Sequence, residues 1–493
     1  MMRLLSALLS IFVCASFASA QTAPTTPVQA APAQAAPAQA APAQAAPGTP
    51  AFAQALFDRV TPSLVAVQFS WTYEFGKVDL VGPGVVISTD GLVLVPGDVI
   101  NAGFPDAQLT DFKIIIPGKD SDDEEIDAVY QGRDRRNNVA LVRAKSSTGR
   151  TWTPIKFEDQ PLAVGDPLYS VGILAKAAGY RTFLSEAVVA AHIRGEIPNI
   201  LVSGSLSALG APVFTADGKA IGLVNTATYE PYLYRSGGKD EVNPLLPIVN
   251  PPRLFTPTSE FIQALTDPPT PENPLKLPWV GWVQLTGLSK DVAQVFGLAN
   301  QPAIEVGDVV PGGPADSAGI KVGMKIVKIN GKPLTRGDEP QELPQIMHRQ
   351  LMRMKIGDKV TFSLLQKKGE PLHDITVTLG QRPAEPPDVK RYYADDLGFG
   401  VREITFDDTY PRRKPANFPG VVVTLLKPSG AAQTAKLSPE DLITDINNTP
   451  VTDLTQFQQV YESLRADKPK DAIVLVAMKP DGSTETIRIE PPQ

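Results

Sequence analysis

One cysteine, three histidines and no basic block set the first limits on this 493-residue chain. Cys14 lies inside an apolar stretch at the N-terminus, and no thiol follows it. A disulfide and a cysteine nucleophile are therefore excluded for the chain beyond that stretch. The formal charge is −7, and without a cluster of Lys and Arg it argues against nucleic acid as a partner. No segment after the first twenty residues is apolar enough to span a bilayer. His348 and His373 fall in the first of two similar C-terminal segments, and His192 sits at a strand end in "AAHIRGE". The acidic run "DSDDEE" (120–125) lacks the spacing of a cation site and reads as a solvated loop, so neither metal nor cofactor is expected.

The N-terminus has the order of a secretory leader. Arg3 precedes the apolar run Leu4 to Phe17, and Ala18-Ser19-Ala20 supplies the small residues of a cleavage site. The expectation is a signal peptide over 1–20, with no integral membrane segment once it is removed. Residues 21–50 repeat "AAPAQ". Frequent proline and little to bury make this an extended linker, ~3 Å per residue where polyproline-like.

From Phe52 the pattern changes. A helical spacing (Phe52, Leu56, Val60) stops at Pro62, and short strands then alternate with Gly, Asp and Asn turns, as in "GVVISTDGLVLVPGDVI" and "APVFTADGKAIGLV". This spacing predicts an all-β barrel or sandwich over 51–266. Residues 227–256 form a Pro- and Tyr-rich stretch without periodicity, expected to be a loop. Two similar units follow, over 267–384 and 385–493. Each has a strand after a Gly-containing turn, a small-residue helix, then "IVKINGKP" or "ITDINNTP", and an amphipathic helix. The helices carry apolar residues on one face: Leu343, Ile346, Met347 and Leu351, and Leu454, Phe457, Val460 and Leu464.

The phrase "VVPGGPADSAGIKVGMKIVKINGKPL" and its counterpart resemble PDZ domains of the circularly permuted bacterial kind. "LGFG" (Leu397, Gly398, Phe399, Gly400), followed by Val401, resembles a PDZ carboxylate-binding turn, with "WVGW" (Trp279, Val280, Gly281, Trp282) as its counterpart. Backbone N–H groups in such a turn make a nest for a C-terminal carboxylate, and the next strand adds an extended peptide. Two PDZ-like units behind a β-rich domain and a leader resemble the HtrA/Deg family of envelope serine proteases. The resemblance implies a mainly β fold, a trypsin-like double β-barrel followed by two PDZ-like α+β domains. It also suggests a homotrimer, polypeptide C-termini or extended segments as partners, and a periplasmic or envelope location.

The family's motif for the general base fits "GPGVVISTDGLVLVPGDVI", with Asp98 at the histidine position. Its acid motif fits "DRRNNVALV" with Asn138, and its nucleophile motif fits "SALGAPV" with Leu209. A serine protease needs a hydroxyl, a base to take its proton and a group that orients the base. The expectation from these residues is a protein that is no enzyme, with no catalytic residue, that binds polypeptides as a scaffold, chaperone-like or regulatory factor. The alternatives are an active HtrA-type serine endopeptidase of envelope quality control, and a structural assembly protein. Two further expectations concern peptide access. The 227–256 stretch covers the former cleft, and the second PDZ-like unit, with two glycines around Phe399, binds C-terminal peptides better than the first.

Overall fold

Thr49 accepts a hydrogen bond from the Phe52 amide (3.2 Å), and Pro50 takes the first helical position, so a helix begins here and runs Pro50–Val60. Pro62 ends it in a single tight turn, and the chain enters the strand Leu64–Tyr73. The computed structural model describes residues 49–492 apart from 75, 119–121, 147–148, 194–197, 226–252, 271–272, 299–300 and 336–339. Most of the stretch expected to cover the cleft therefore lies outside the described residues.

Strands between Leu64 and Ala144 close a six-stranded antiparallel barrel, and strands between Pro167 and Pro257 close a second. Alternation sets the inward faces. Val65, Val67, Phe69, Val93, Val95 and Ile114 fill the first barrel, where Phe69 and Phe112 stack at 5.4 Å. Val189, Val202, Val213, Ile221 and Phe255 fill the second. A third apolar cluster joins the two barrels. Val85, Leu94 and Leu141 meet Tyr169, Val171, Phe214 and Leu223 there, and Leu56, Val60 and Phe261 cap it from the flanking helices. This shared core sets the two barrels against each other. Helix Thr258–Thr266 closes the double barrel.

The two C-terminal units each wrap a sheet around an amphipathic helix, Glu342–Met352 in the first and Leu454–Asp467 in the second. Leu343, Ile346, Met347 and Leu351 turn inward, as do Leu454 and Phe457. Tyr461 shares that inward face, an aromatic the apolar spacing missed. Pro344 occupies the first turn, where a proline costs no intrahelical hydrogen bond. The fold is a trypsin-like double β-barrel followed by two PDZ domains, as the resemblance implied.

Candidate functional site

Three loops converge where the barrels meet. The Gly97 amide donates to the Asn138 carbonyl at 2.6 Å. A side chain at Gly97 would run into Asn138, with a Cβ only 2.1 Å from Oδ1 and 2.8 Å from the backbone carbon. Gly210, at φ +73°, lies against Pro96 and Pro83, with 2.9 and 3.0 Å to the nearest ring carbons from a built Cβ. These close approaches seat Asp98, Asn138 and Leu209, all half-buried, on neighbouring loops. Asn138 holds a left-handed backbone at φ 53°, a conformation asparagine tolerates better than most residues. Gly97→Ala is expected to separate the loops and raise amide exchange across residues 96–100 and 136–139 at least tenfold, read by mass spectrometry.

The turn bearing Leu209 is held from below. The Ser207 amide donates to Ser170 Oγ at 2.7 Å, and Gly210 donates to the Val224 carbonyl at 2.8 Å. Ser207 Oγ is buried with no hydrogen-bond partner among the described residues, and it faces Gly172, where a Cβ would lie 2.8 Å away. His192 is exposed, in a hairpin register opposite Ile200. His373 stands on a strand of the first PDZ unit and His348 on that unit's helix.

The residues expected to face a peptide divide by unit. In the first, Val280 is buried and its carbonyl accepts from the Ala315 amide (2.7 Å), while Gly281 accepts from Val310 (2.9 Å). Trp282 packs edge-on to Phe362 at 5.2 Å, and Trp279 packs edge-on to Phe406 of the second unit at 5.7 Å. Strand Trp282–Gly287 ends its sheet among the described residues, pairing with Ile304–Val309 and facing helix Glu342–Met352. In the second unit Leu397, Phe399 and Val401 all point into the core. Phe399 is fully buried against Phe457 and Tyr461, so its ring builds the unit and does not line an open pocket. Gly398, at φ +71°, lies in the turn, and Gly400 lies in the strand that follows it.

Sequence reading missed two elements here. "DRR" and "RYY" look like ordinary surface charge, yet both are docked. Asp134 is buried and accepts from Arg136 and Asn137, and Arg136 reaches the Met352 carbonyl of the first PDZ unit at 2.7 Å. Arg135 pairs with Asp388 (2.6 and 3.0 Å) and Glu385 (3.1 Å). "RYY" forms a strand, Arg391–Ala394. Nothing in local spacing signals the first, because its partners lie more than two hundred residues away. The second pairs with the strand just after its turn, which an aromatic pair between charged residues does not announce.

Residues 82–223 match the family model described as a trypsin-like peptidase domain, and residues 305–356 and 394–470 match PDZ domain models. The chain is 26% identical over 414 residues to a probable periplasmic serine endoprotease DegP-like of Hahella chejuensis, covering 80% of this chain and 77% of that one. It is 25% identical over 444 residues to the protein of the same name in Ectopseudomonas mendocina, covering 87% and 83%. Among solved structures, the HtrA-type protease AlgW with tripeptide superposes with a TM-score of 0.50 at 18% identity, covering 68% of this chain and 99% of that one. This likeness concerns the fold. Together they give the chain a trypsin-like peptidase domain and two PDZ domains, and a likeness to the DegP-like proteins over most of its length. They also correct one expectation: the reading that this chain is no enzyme is overturned, because over four-fifths of its length it is similar to proteins named serine endoproteases.

Proposed function

We propose that this chain works on polypeptides in the periplasm or cell envelope as an HtrA-type serine endopeptidase whose PDZ domains take up extended segments or C-termini. The observation that carries this is a peptidase-type double barrel followed by two PDZ domains, in a chain similar over four-fifths of its length to proteins named periplasmic serine endoproteases. The first PDZ unit offers the groove: a sheet-edge strand, Trp282–Gly287, faces an apolar helix. Strand addition supplies main-chain hydrogen bonds there, and the helix supplies the side-chain contacts.

In the barrels, Asp98, Asn138 and Leu209 stand at the three positions the resemblance assigns to base, orienting acid and nucleophile. Leucine offers no nucleophilic atom, so the attacking group is either a water or another hydroxyl. Ser207 is the hydroxyl the same turn holds, buried and without a hydrogen-bond partner among the described residues. A site lacking a complete triad retains about 10³–10⁴-fold over water, from oriented binding and oxyanion donors. Slow turnover is therefore the expected behaviour.

The test is prolonged incubation of the mature chain with reduced casein, with products identified by mass spectrometry against a heat-denatured control. Expected are new termini in casein, retained with Leu209→Ala; their loss with Ser207→Ala assigns the attack to Ser207. Absence of products above the control overturns the endopeptidase reading, and cleavage that persists in Ser207→Ala removes Ser207 from it.

A further inference from the structure

The two PDZ units differ at the edge where a peptide would add. In the first, the segment ahead of the Gly-containing turn, Pro278–Trp279, turns away and pairs with Gly380–Gln381. Strand Trp282–Gly287 is left as the end of its sheet. In the second, the corresponding segment Arg391–Ala394 folds back onto the strand Phe399–Glu403 and takes its outer edge. The register is antiparallel, with Arg391 opposite Arg402, Tyr392 opposite Val401, Tyr393 opposite Gly400 and Ala394 opposite Phe399. An incoming C-terminal peptide would run in this direction, its last residue at the turn. Here the Ala394 carbonyl accepts from the Gly398 amide at 2.8 Å, a bond that a free carboxylate could receive.

The side chains complete the likeness to a bound ligand. Tyr392 packs edge-on to Phe457 (6.1 Å) and Tyr461 (6.0 Å) of the helix Leu454–Asp467. Burial there, with Glu462 nearby, pushes its hydroxyl up to about 12. The turn is tied to the same helix, since Asp396 accepts from the Tyr461 hydroxyl and pairs with Arg465 at 2.8 Å. The segment is also anchored upstream. Arg391 donates to the Pro386 carbonyl (3.0 Å), and Arg135 grips Asp388 and Glu385 from the barrel loop that carries Asn138.

We propose that Arg391–Ala394 is an internal peptide that keeps the second PDZ groove occupied and is held there from the barrel by Arg135, so that the first PDZ unit alone receives external segments until this strand is displaced. The ligand that competes for the second groove is an extended C-terminal segment with a small last residue and an aromatic side chain two places before it, the pattern of Ala394 and Tyr392. This rests on peptide uptake by the PDZ units, and the experiment separates the two.

The probe is a synthetic Arg-Tyr-Tyr-Ala peptide with a free carboxylate and an N-terminal benzophenone, photo-crosslinked to the full mature chain and mapped by mass spectrometry. In the unsubstituted chain cross-links are expected in 342–352 and not in 454–467. Arg135→Ala, which leaves the second unit's core untouched, and Tyr392→Ser, which frees the aromatic pocket, are each expected to raise cross-linking to 454–467 at least tenfold. Circular dichroism and amide exchange confirm that both variants are folded. Equal labelling of 454–467 in the unsubstituted chain overturns the proposal. So does labelling of 342–352 with no gain at 454–467 in either folded variant. Absence of labelling at both helices in every form instead counts against peptide uptake itself.

Discussion

Arg402→Leu is expected to destabilise the second PDZ unit by about 3–5 kcal/mol, as removal of one partner from a buried ion pair does. Arg402 and Asp408 form a bidentate pair at 2.6 and 2.7 Å, with side chains 8% and 7% exposed. Asp408 also accepts from the Thr405 amide (2.8 Å) and hydroxyl (2.7 Å), so every part of the carboxylate is committed. Removing the guanidinium leaves a charge out of water with no counter-charge. Amide exchange over 391–489 as a function of urea measures the loss. The double variant Arg402→Leu with Asp408→Leu is expected to recover most of it, because the uncompensated charge is gone as well.

The same pair sets an acid limit. Burial alone would raise the Asp408 pKa, but the Arg402 hydrogen bonds and charge outweigh it and hold the carboxyl below its ordinary value. A carboxylate with a lowered folded pKa adds stability that is complete above the unfolded value of about 4. That stability is lost as pH falls through the lower folded value. The second unit is therefore expected to unfold more readily below about pH 4, and Arg402→Leu is expected to flatten that part of the profile. A pH series of the urea midpoints shows both.

Phe399→Ala is expected to cost about 3–5 kcal/mol, the range for deleting a buried phenyl ring. Phe399 is fully buried and sits edge-on to both Phe457 and Tyr461, so little can collapse into the space it leaves. In calorimetry the melting temperature of the second unit should fall by more than about 12 °C. The benzophenone peptide should still label 342–352 undiminished, because that groove lies in the other unit. A variant that melts within about 3 °C of the parent would show that the ring lines an open pocket after all.

The placement of Phe399 shows how sequence and structure divide the information. "LGFG" states that a Gly turn precedes a strand. It does not state which face of that strand points inward, since one register step exchanges the faces.

By itself, the sequence determined the strand-rich region, its turns, the internal repeat and the two amphipathic helices. Each rests on short-range periodicity or on residues that favour one local conformation, and apolar positions such as Leu343, Met347, Leu454 and Phe457 turned inward as their spacing required. That the loops carrying Asp98, Asn138 and Leu209 lie beside one another came only from the fold, through the close approaches of Gly97 and Gly210. Only the tertiary structure decided which edges are open. Pro278–Trp279 and Arg391–Ala394 each precede a similar Gly turn, yet one pairs with a strand about a hundred residues on and the other folds back on its neighbour. Only the fold, too, brought Arg135 to Asp388 across 253 positions. Strand pairing and ion pairing depend on surfaces assembled from distant parts of the chain, and no local pattern of residues encodes which distant surface arrives.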